Sequence, residues 1–488
     1  MTVSHPAPRR TPRLALLLVL CVAVAACGPR FDRDLVAGSG VDFAGGPESG
    51  EIVDGPNFPG QDGIVTDPGL GSDEGAGPGA DPGAAPPDGG TTTGPSTTGP
   101  GTAAGPGSAP RTPAQGGGGS AQVAPGPQPG VTDTTLKIGY LVPLTGAAPI
   151  PTTWDDGANL YWDVRNDAGG INGRKVELII EDTESSTTTA VTKARKLVTQ
   201  DKVFTIVTLD RLEVQEKVAQ YLEGVGMPHV MVQSPASPPA TWKNTFTISV
   251  DHVVQGRGIA RFWASDLGAG AGRKKVGFVR EQTNALKPGT DAFEAEAVRL
   301  GLDVVARETI NPQQVDFSQT VLRLQQSGAE IVWLYMAPTP AATIIGQSGT
   351  AGYRPTWFAN SISWGFELMH GVTGGFMEGA YAFSPWVSLN NPRTKAYRDA
   401  WSSRNGGTAD DIGLVGWGVG GVLDAALSRP GRPLGWDSFR SSMRTFKAAT
   451  DVWVPVDFGG GGSIGTNQVA VFKAQGGAWH TVGDFRGL

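Results

Sequence analysis

The chain has 488 residues, two cysteines and a formal net charge of −7, from 39 basic and 46 acidic side chains. That length allows two or three domains, the charge offers no basic surface for nucleic acid, and two cysteines cannot build a disulfide framework. The first element is a segment with three arginines ahead of an apolar run from Leu14 to Ala26. Because this run is too short to span a bilayer comfortably, we interpret residues 1–27 as a secretory signal peptide.

The end of this signal resembles the bacterial lipobox, because the small residues Val24-Ala25-Ala26 precede Cys27. Cys21 lies inside the signal, so Cys27 would be the one cysteine left after export, and no intramolecular disulfide could form. We therefore predict lipidation of Cys27 and a location at the outer face of the cytoplasmic membrane. The alternative is an ordinary cleavage site at which Cys27 is incidental. Arg9-Arg10 leaves twin-arginine export open, although Sec export fits the surrounding residues better.

Residues 28–132 are dominated by Gly, Pro, Ala, Thr and Asp, and they include "GGGGS" at 116–120. Apolar residues are too sparse here to offset the entropy lost on ordering a core. Acidic residues outnumber Arg30, Arg33 and Arg111, so most of the net negative charge belongs to this segment. We interpret it as a disordered tether between a lipid anchor and a near-neutral folded part.

From Asp133 onward, short apolar runs alternate with segments of helical spacing. The predicted strands of a first group are 136–144, 176–180, 203–208 and 228–234, and its predicted helices are 154–165, 187–199 and 212–223. A second group has strands at 276–279, 302–307, 331–336 and 355–360, and helices at 291–300, 317–326 and 340–350. Such alternation predicts βαβ units and parallel sheets. About 355 residues exceed one comfortable core, so we expect two lobes with a cleft between them.

The stretch "NDAGGINGRKV" at 166–176 joins a predicted helix to a predicted strand. Gly169-Gly170 can supply the left-handed conformations that end a helix. Ile171 can cover the core, and Asn172-Gly173 can turn the chain into the strand. The stretch therefore predicts a helix–turn–strand connection.

The folded part resembles a known family in four pieces that occur in order. They are "IGYLVPLTG" followed by "DGANLYWDVRNDAGGINGRKVELIIEDTES", then "GMPHVMVQSPASP", "VDFSQTVLRLQQSGAEIVWLYM" and "IIGQSGTAGYRPTWF". The family is the type I periplasmic solute-binding proteins, in particular the branched-chain amino-acid (Leu/Ile/Val) binding group of ABC importers. The resemblance implies two Rossmann-like α/β lobes linked by three chain crossings, with ligand held in the cleft by hinge closure. The lobes would comprise 133–254 plus 384–452, and 255–383 plus 453–488.

The resemblance also implies ligand contacts in the loops at the carboxyl ends of the strands, as expected for open parallel sheets. The loop after the fourth strand supplies Gln233, Ser234, Ala236 and Ser237 as candidates. After the third strand, where the family is rich in serine, this chain has Asp210-Arg211. Arg211 could hold a ligand carboxylate in bidentate fashion, or the pair could be a solvated cap of the next helix.

In the second lobe the family has an aromatic residue near position 286 and a carboxylate for the ligand ammonium near 360–362. This chain has Leu286 and Asn360-Ser361-Ile362 at those places, so Asp210 is the alternative source of the charge. The aromatic candidates for the cleft are Trp154, Tyr335, Trp364 and Trp386, for which core packing is the alternative.

The histidines and one glycine motif are not expected to form a metal or cofactor site. The four histidines beyond the signal, His229, His252, His370 and His480, lie near no metal-ligand pair and are expected at the surface or in loops. Gly416-Trp-Gly-Val-Gly-Gly421 formally fits G-x-G-x-x-G but continues into "VLDAAL". We expect these glycines to allow close helix packing instead of dinucleotide binding.

These observations predict an extracytoplasmic solute-binding lipoprotein of an ABC importer. Its ligand would be a small amino-acid-like molecule, carboxylate or amide, and its partners the permease and ATPase subunits. We expect a monomer with no cofactor, no metal, no nucleic acid and no enzymatic activity. The alternative is a ligand sensor of the same fold that reports to a membrane signalling partner.

Overall fold

A computed structural model describes residues 128–146, 149–235, 238–239, 241–267, 272, 274–360 and 363–488. The signal, Cys27 and nearly all of the tether lie outside these residues, and their assignments stay predictions. Within the described part, no helix is both long enough and apolar enough to cross a membrane.

The first sheet contains five parallel strands in the order β2-β1-β3-β4-β5. They are β1 Thr135–Val142, β2 Lys175–Asp182, β3 Thr205–Thr208, β4 His229–Met231 and β5 Thr245–Thr247. The helices between them are α1 Thr153–Asp167, α2 Thr187–Lys196 and α3 Leu212–Val225, with a π-helical turn Leu197–Asp201 continuing α2. Strands β3, β4 and β5 are buried along their whole length, as expected for a sheet covered on both faces.

The connection from α1 to β2 has the predicted form. Gly169, Gly170 and Gly173 have positive φ angles of 100°, 66° and 79°, and Asn172 has φ 50°. A side chain on Gly170 would overlap the carbonyl of Arg174, so glycine is needed there for space as well as conformation. Ile171 is fully buried between these turns, which fixes where α1 ends and β2 begins.

The second sheet has the order β14-β13-β10-β9-β8-β6-β7, with β15 beside β13. Its parallel strands are β6 Lys275–Glu281, β7 Asp303–Ile310, β8 Ile331–Tyr335, β9 Thr356–Asn360 and β10 Tyr381–Ser384. The antiparallel strands are β13 Gln468–Gln475, β14 Ala478–Thr481 and β15 Arg486–Gly487. Its helices are α4 His252–Phe262, continued by the π-helical turn Trp263–Leu267, α5 Lys287–Arg299, α6 Ser318–Ser327, α7 Pro338–Thr350 and α8 Leu368–Val372. The sheet is therefore mixed, with an antiparallel extension that the sequence analysis did not predict.

After β10 the chain returns to the first sheet. This return contains a 3₁₀ turn Pro392–Thr394, α9 Lys395–Arg404, α10 Asp411–Ser428, α11 Trp436–Met443 and the short pair β11 Lys447–Ala448 and β12 Val456–Asp457. The glycine motif lies inside α10, as expected, and α10 packs along α1. Side chains on Gly157 or Gly416 would overlap the opposite backbone, so glycine permits this close approach. The exact boundaries of the two lobes stay a prediction.

Candidate functional site

The strand ends of each sheet lie along one edge, because the strands are parallel and in register. In the first sheet Val142 pairs with Asp182, and Thr208 pairs with Met231. In the second, Glu281 pairs with Ile310, and Arg280 pairs with Tyr335. Loops that follow these edges are the usual places for ligands in open α/β sheets.

Arg211 connects the two edges. It precedes α3 and makes no side-chain cap of that helix. Its Nη2 atom lies 2.8 Å from Glu213 Oε1 and 3.5 Å from Oε2 of Glu281, the last residue of β6. The loop after β3 therefore contacts the strand end of the other lobe. The Arg211 guanidinium, which was predicted to bind a ligand carboxylate, here faces the carboxylates of Glu213 and Glu281.

Asp210 is buried, so the alternative of a solvated pair with Arg211 does not describe it. The Thr183 hydroxyl donates a hydrogen bond to its Oδ2 atom, and the Arg211 backbone N–H donates to Oδ1 at 2.6 Å. Burial raises the pKa of Asp210 to about 6, against the lowering effect of these two donors. Both carboxylate oxygens thus already accept a hydrogen bond within the protein.

A buried polar network ties the third-strand loop to β4. Gln215 donates to the Asp210 carbonyl at 2.6 Å, and Gln233 donates to the same oxygen at 3.1 Å. The hydroxyl of Thr208 lies 2.9 Å from Nε2 of His229, a fully buried residue of β4. Burial lowers the pKa of His229 to about 3, so the ring is neutral near pH 7.

The expectation that His229 and His252 are surface or loop residues is wrong. His229 is fully buried, and His252, the first residue of α4, is 3 % exposed. Burial also lowers the pKa of His252, to about 4. Sequence reasoning missed both because each ring is covered by elements distant in the chain: His229 Nδ1 lies 3.3 Å from Thr245, and His252 packs against Tyr335.

The fourth-strand loop is partly described. Ser234 is fully buried, and its hydroxyl accepts a hydrogen bond from Thr247 at 3.1 Å. Gln233 is half-buried beside the Asp210 loop. Ala236 and Ser237 lie outside the described residues, so their proposed contacts stay predictions.

The second-lobe candidates are mostly engaged in internal packing. Asn360 accepts from the Trp333 indole at 2.9 Å, and the Trp364 indole donates to the Leu334 carbonyl at 2.9 Å. Tyr335 stacks on Trp333 with ring centroids 4.6 Å apart, and burial raises the pKa of its hydroxyl. Two candidates pack inside their lobes: Leu286 against the second-sheet core and Trp386 against Phe366.

Trp154, like Tyr335, has a buried polar atom without a hydrogen-bond partner in the described part of the chain. It lies at the start of α1 and is 1 % exposed, with its ring 5.3 Å from that of Tyr140. Among the described residues its indole Nε1 has no hydrogen-bond partner, and the same holds for buried atoms of Thr153 and Asp155. Burial, with the nearby Asp156 and Asp182, raises the pKa of Asp155 to about 6. Sequence reasoning did not select Thr153 or Asp155.

Other features of the described part add no chemistry to the cleft. No group of three or more His, Cys, Asp or Glu side chains there could hold a metal ion. A cavity of about 700 Å³ lies beside the start of α4 and is lined in part by Asp251, Lys447, Asp457 and Asn467. It includes none of the predicted ligand-binding residues, so it does not coincide with the facing strand ends.

Two α/β lobes with facing strand ends define a two-lobed solute-binding protein. A family model for periplasmic binding proteins matches residues 135–478. The chain therefore belongs to the periplasmic binding protein family and has its type I fold, and the resemblance to the Leu/Ile/Val-binding group is confirmed. Members of this family act outside the cytoplasm.

Individual relatives are distant. A Leu/Ile/Val-binding protein homologue of Brucella melitensis is 29 % identical over 41 % of this chain and 53 % of its own, so the match spans about half of that relative. A leucine-, isoleucine-, valine-, threonine- and alanine-binding protein of Pseudomonas aeruginosa is 26 % identical over 56 % of this chain and 72 % of its own. The fatty acid ABC transporter substrate-binding protein from Thermomonospora curvata has the same fold, with TM-score 0.65, 20 % identity, and coverage of 74 % of this chain and 94 % of its own.

Proposed function

We propose that this protein is an extracytoplasmic lipoprotein that captures a small amino-acid-like molecule, carboxylate or amide between its lobes and delivers it to an ABC importer. The observation that carries the proposal is the contact of Arg211 with Glu281, which brings the strand ends of the two sheets together. A molecule held between these ends would be enclosed by hinge closure of the lobes. Binding and delivery need no catalytic step, so we propose that the protein is not an enzyme.

The ligand class follows from the site and from the relatives' names. The loops at the strand ends contain hydroxyl, amide and carboxylate groups together with buried aromatic rings, a mixture suited to a small, partly apolar molecule with polar ends. One relative is named for binding leucine, isoleucine, valine, threonine and alanine, and a structural neighbour is named as a fatty acid ABC transporter substrate-binding protein. Both ligand types combine an apolar body with a carboxylate.

The binding step is tested by thermal unfolding of the full-length chain with leucine, valine, small amides and short carboxylic acids. A ligand present at about one hundred times its dissociation constant stabilises the folded state by about 2.7 kcal/mol. On a protein of this size that corresponds to a rise of several degrees in melting temperature. Failure of every compound class to shift the melting temperature would contradict the proposal.

The anchor and the partners are tested separately. Cys27→Ala should release the chain from the membrane fraction and abolish incorporation of a radiolabelled fatty acid, while leaving ligand binding unchanged. Delivery to an importer should appear as ligand-dependent co-purification of a monomeric binding protein with permease and ATPase subunits. Co-purification with a signalling kinase instead would favour the sensor alternative.

A further inference from the structure

The first turn of α1 holds three consecutive residues with unsatisfied polar atoms. Thr153 Oγ1, Trp154 Nε1 and Asp155 Oδ1 are all buried, and none has a hydrogen-bond partner among the described residues. Buried polar groups are normally paired, and an unpaired one destabilises the folded state. Three such atoms within one helical turn leave hydrogen bonds that water or a bound ligand must complete.

These residues lie at the strand-end edge of the first sheet. The raised pKa of Asp155 comes partly from Asp182, the last residue of β2, so the two carboxylates are neighbours. The indole of Trp154 is held against Tyr140 of β1. Close packing fixes the helix as well, because a side chain on Gly416 of α10 would overlap the Trp154 carbonyl. The first turn of α1 is thus closely packed beside the strand-end edge of the first sheet, with the Trp154 ring in the core.

The surrounding charges leave Asp155 without compensation. Asp182 accepts hydrogen bonds from the backbone of Leu144 and Thr145 and from the Thr145 hydroxyl. Asp410, whose charge acts on Asp156, caps α10 by accepting from Gly413. In the described part of the chain, no lysine or arginine forms an ion pair with Asp155. A partly buried carboxylate in this position is stabilised by a donor that carries positive charge or an N–H group.

Most of the other candidate groups are already satisfied, and the Tyr335 hydroxyl is the exception among those the structure describes. Both oxygens of Asp210 accept hydrogen bonds, and Arg211 faces Glu213 and Glu281. Trp364 and Asn360 also have internal partners. In the described part of the strand-end region the unpaired buried atoms form two groups, one at Ser249, His252 and Tyr335 and one in the first turn of α1, and only the second contains a carboxylate.

We propose that Asp155 and Trp154 form the polar subsite of the cleft, and that the ligand is a primary amine or primary amide whose nitrogen donates to Asp155. Trp154 Nε1 and the Thr153 hydroxyl then donate to an oxygen acceptor on the same molecule. This inference rests on the proposed function and narrows it, since a simple carboxylic acid has no donor for Asp155 at neutral pH.

The test uses four molecules with one apolar body: leucine, 4-methylpentanamide, 4-methylpentanoate and isopentylamine. Their dissociation constants for the full-length chain are measured by titration calorimetry at pH 7.5. We expect leucine or the amide to bind at least tenfold more tightly than the acid. Asp155→Asn should weaken the tighter ligand by about tenfold or more, and Trp154→Phe, which keeps a ring on Tyr140, by about fivefold. Asp163 is an exposed aspartate on the same helix, and Asp163→Asn should leave the dissociation constants unchanged.

Each outcome distinguishes the two levels of the proposal. Tight binding of 4-methylpentanoate that Asp155→Asn leaves unchanged would overturn the subsite and leave the solute-binding function standing. The subsite would also be overturned, and the solute-binding function left standing, if leucine or the amide bound with equal affinity to the parent, Asp155→Asn and Trp154→Phe. Binding of none of the four molecules would count against the solute-binding proposal itself, and with it the subsite.

Discussion

The Arg211 guanidinium lies 3.5 Å from the Glu281 carboxylate, and this ion pair joins the loop after β3 in one lobe to the end of β6 in the other. Glu281 is buried and also accepts a hydrogen bond from the Ala337 backbone at 2.7 Å. Because Glu281 is thereby fixed in the second lobe, its contact with Arg211 restrains the distance between the two lobes. Closure is thus supported by residues of the protein as well as by any ligand.

We expect the Arg211–Glu281 pair to contribute about 1 kcal/mol to folding stability, because Glu281 is shielded from solvent. A double-mutant cycle with Arg211→Met and Glu281→Gln, measured by urea unfolding, should give a coupling energy of that size. The control cycle pairs Arg211→Met with Glu213→Gln. Glu213 is more exposed, so its coupling should remain below about 0.5 kcal/mol. Equal couplings in both cycles would argue against an interlobe restraint.

Arg211→Ala should weaken ligand binding more than tenfold if the guanidinium turns from the internal carboxylates to a ligand carboxylate. Calorimetric titration with the ligand found by thermal screening checks this. The matched variant is Arg195→Ala, an arginine of α2 whose guanidinium packs over Tyr221 instead. Unchanged affinity in Arg211→Ala would remove this residue from the binding site and leave it a purely structural role.

His229 should make the protein less stable in acid. Its pKa is lowered from about 6.5 to about 3 in the folded state, so between these values the unfolded chain binds the extra proton. Stability therefore falls as pH decreases through this window, by up to about 1.4 kcal/mol per pH unit. His229→Asn should flatten this part of the stability profile, measured by urea unfolding from pH 7 to 4. His480→Asn, at an exposed position, should keep the parent slope.

Asp411 should have the opposite effect on the pH dependence of folding stability. This residue of α10 is buried where its Oδ2 accepts from the Glu367 backbone at 2.7 Å, and burial raises its pKa from 3.8 to about 7. Between pH 4 and 7 the folded state holds the extra proton, so stability is lost as pH rises through that window. Asp411→Asn keeps an acceptor for Glu367 but removes the titration. Its stability relative to the parent should therefore increase from pH 5 to pH 8, and a constant difference would contradict the assignment.

Gly157→Ala should be strongly destabilising because an added methyl group would overlap the Gly413 carbonyl across the α1–α10 contact. Overpacking of this kind costs about 1–3 kcal/mol or more, even though alanine favours helix. The matched control is Gly346→Ala in α7, where nothing lies near the added methyl. That substitution should stabilise by about 0.5–1 kcal/mol, as urea unfolding would reveal.

The strands of both lobes were predictable because buried parallel strands produce continuous apolar runs. "IVWLYM" predicted a strand at 331–336, and β8 covers Ile331–Tyr335. Several elements were not predicted, among them α4, β5, β10 and the antiparallel strands. β5 has only three residues, too few for a periodic signal. The antiparallel strands β13 and β14 follow a glycine-rich stretch and form the edge of an otherwise parallel sheet, an arrangement that alternation of strands and helices does not predict.

The site was less predictable than the fold. The family resemblance selected Asp210 and Gln233, and strand-end position selected Trp154, because that position follows from the order of elements alone. It could not indicate that Gln215 would bond to the Asp210 loop, or that Asp155 would be partly buried without a partner. Those properties depend on which elements cover a side chain, and the helix that covers α1 comes from a remote part of the sequence.

The long separation of α1 and α10 in the chain affects how the protein reaches its folded state. Tyr161 of α1 donates to Asp424 of α10 at 2.9 Å across 263 residues of chain. During synthesis, the first lobe therefore lacks its outer helix until all the parallel strands of the second have emerged. The apolar face of α1 is exposed throughout that interval, and such nascent surfaces are prone to aggregation. A chain with this order of assembly is well suited to crossing the membrane unfolded and folding only once α10, in the last fifth of the chain, has arrived outside.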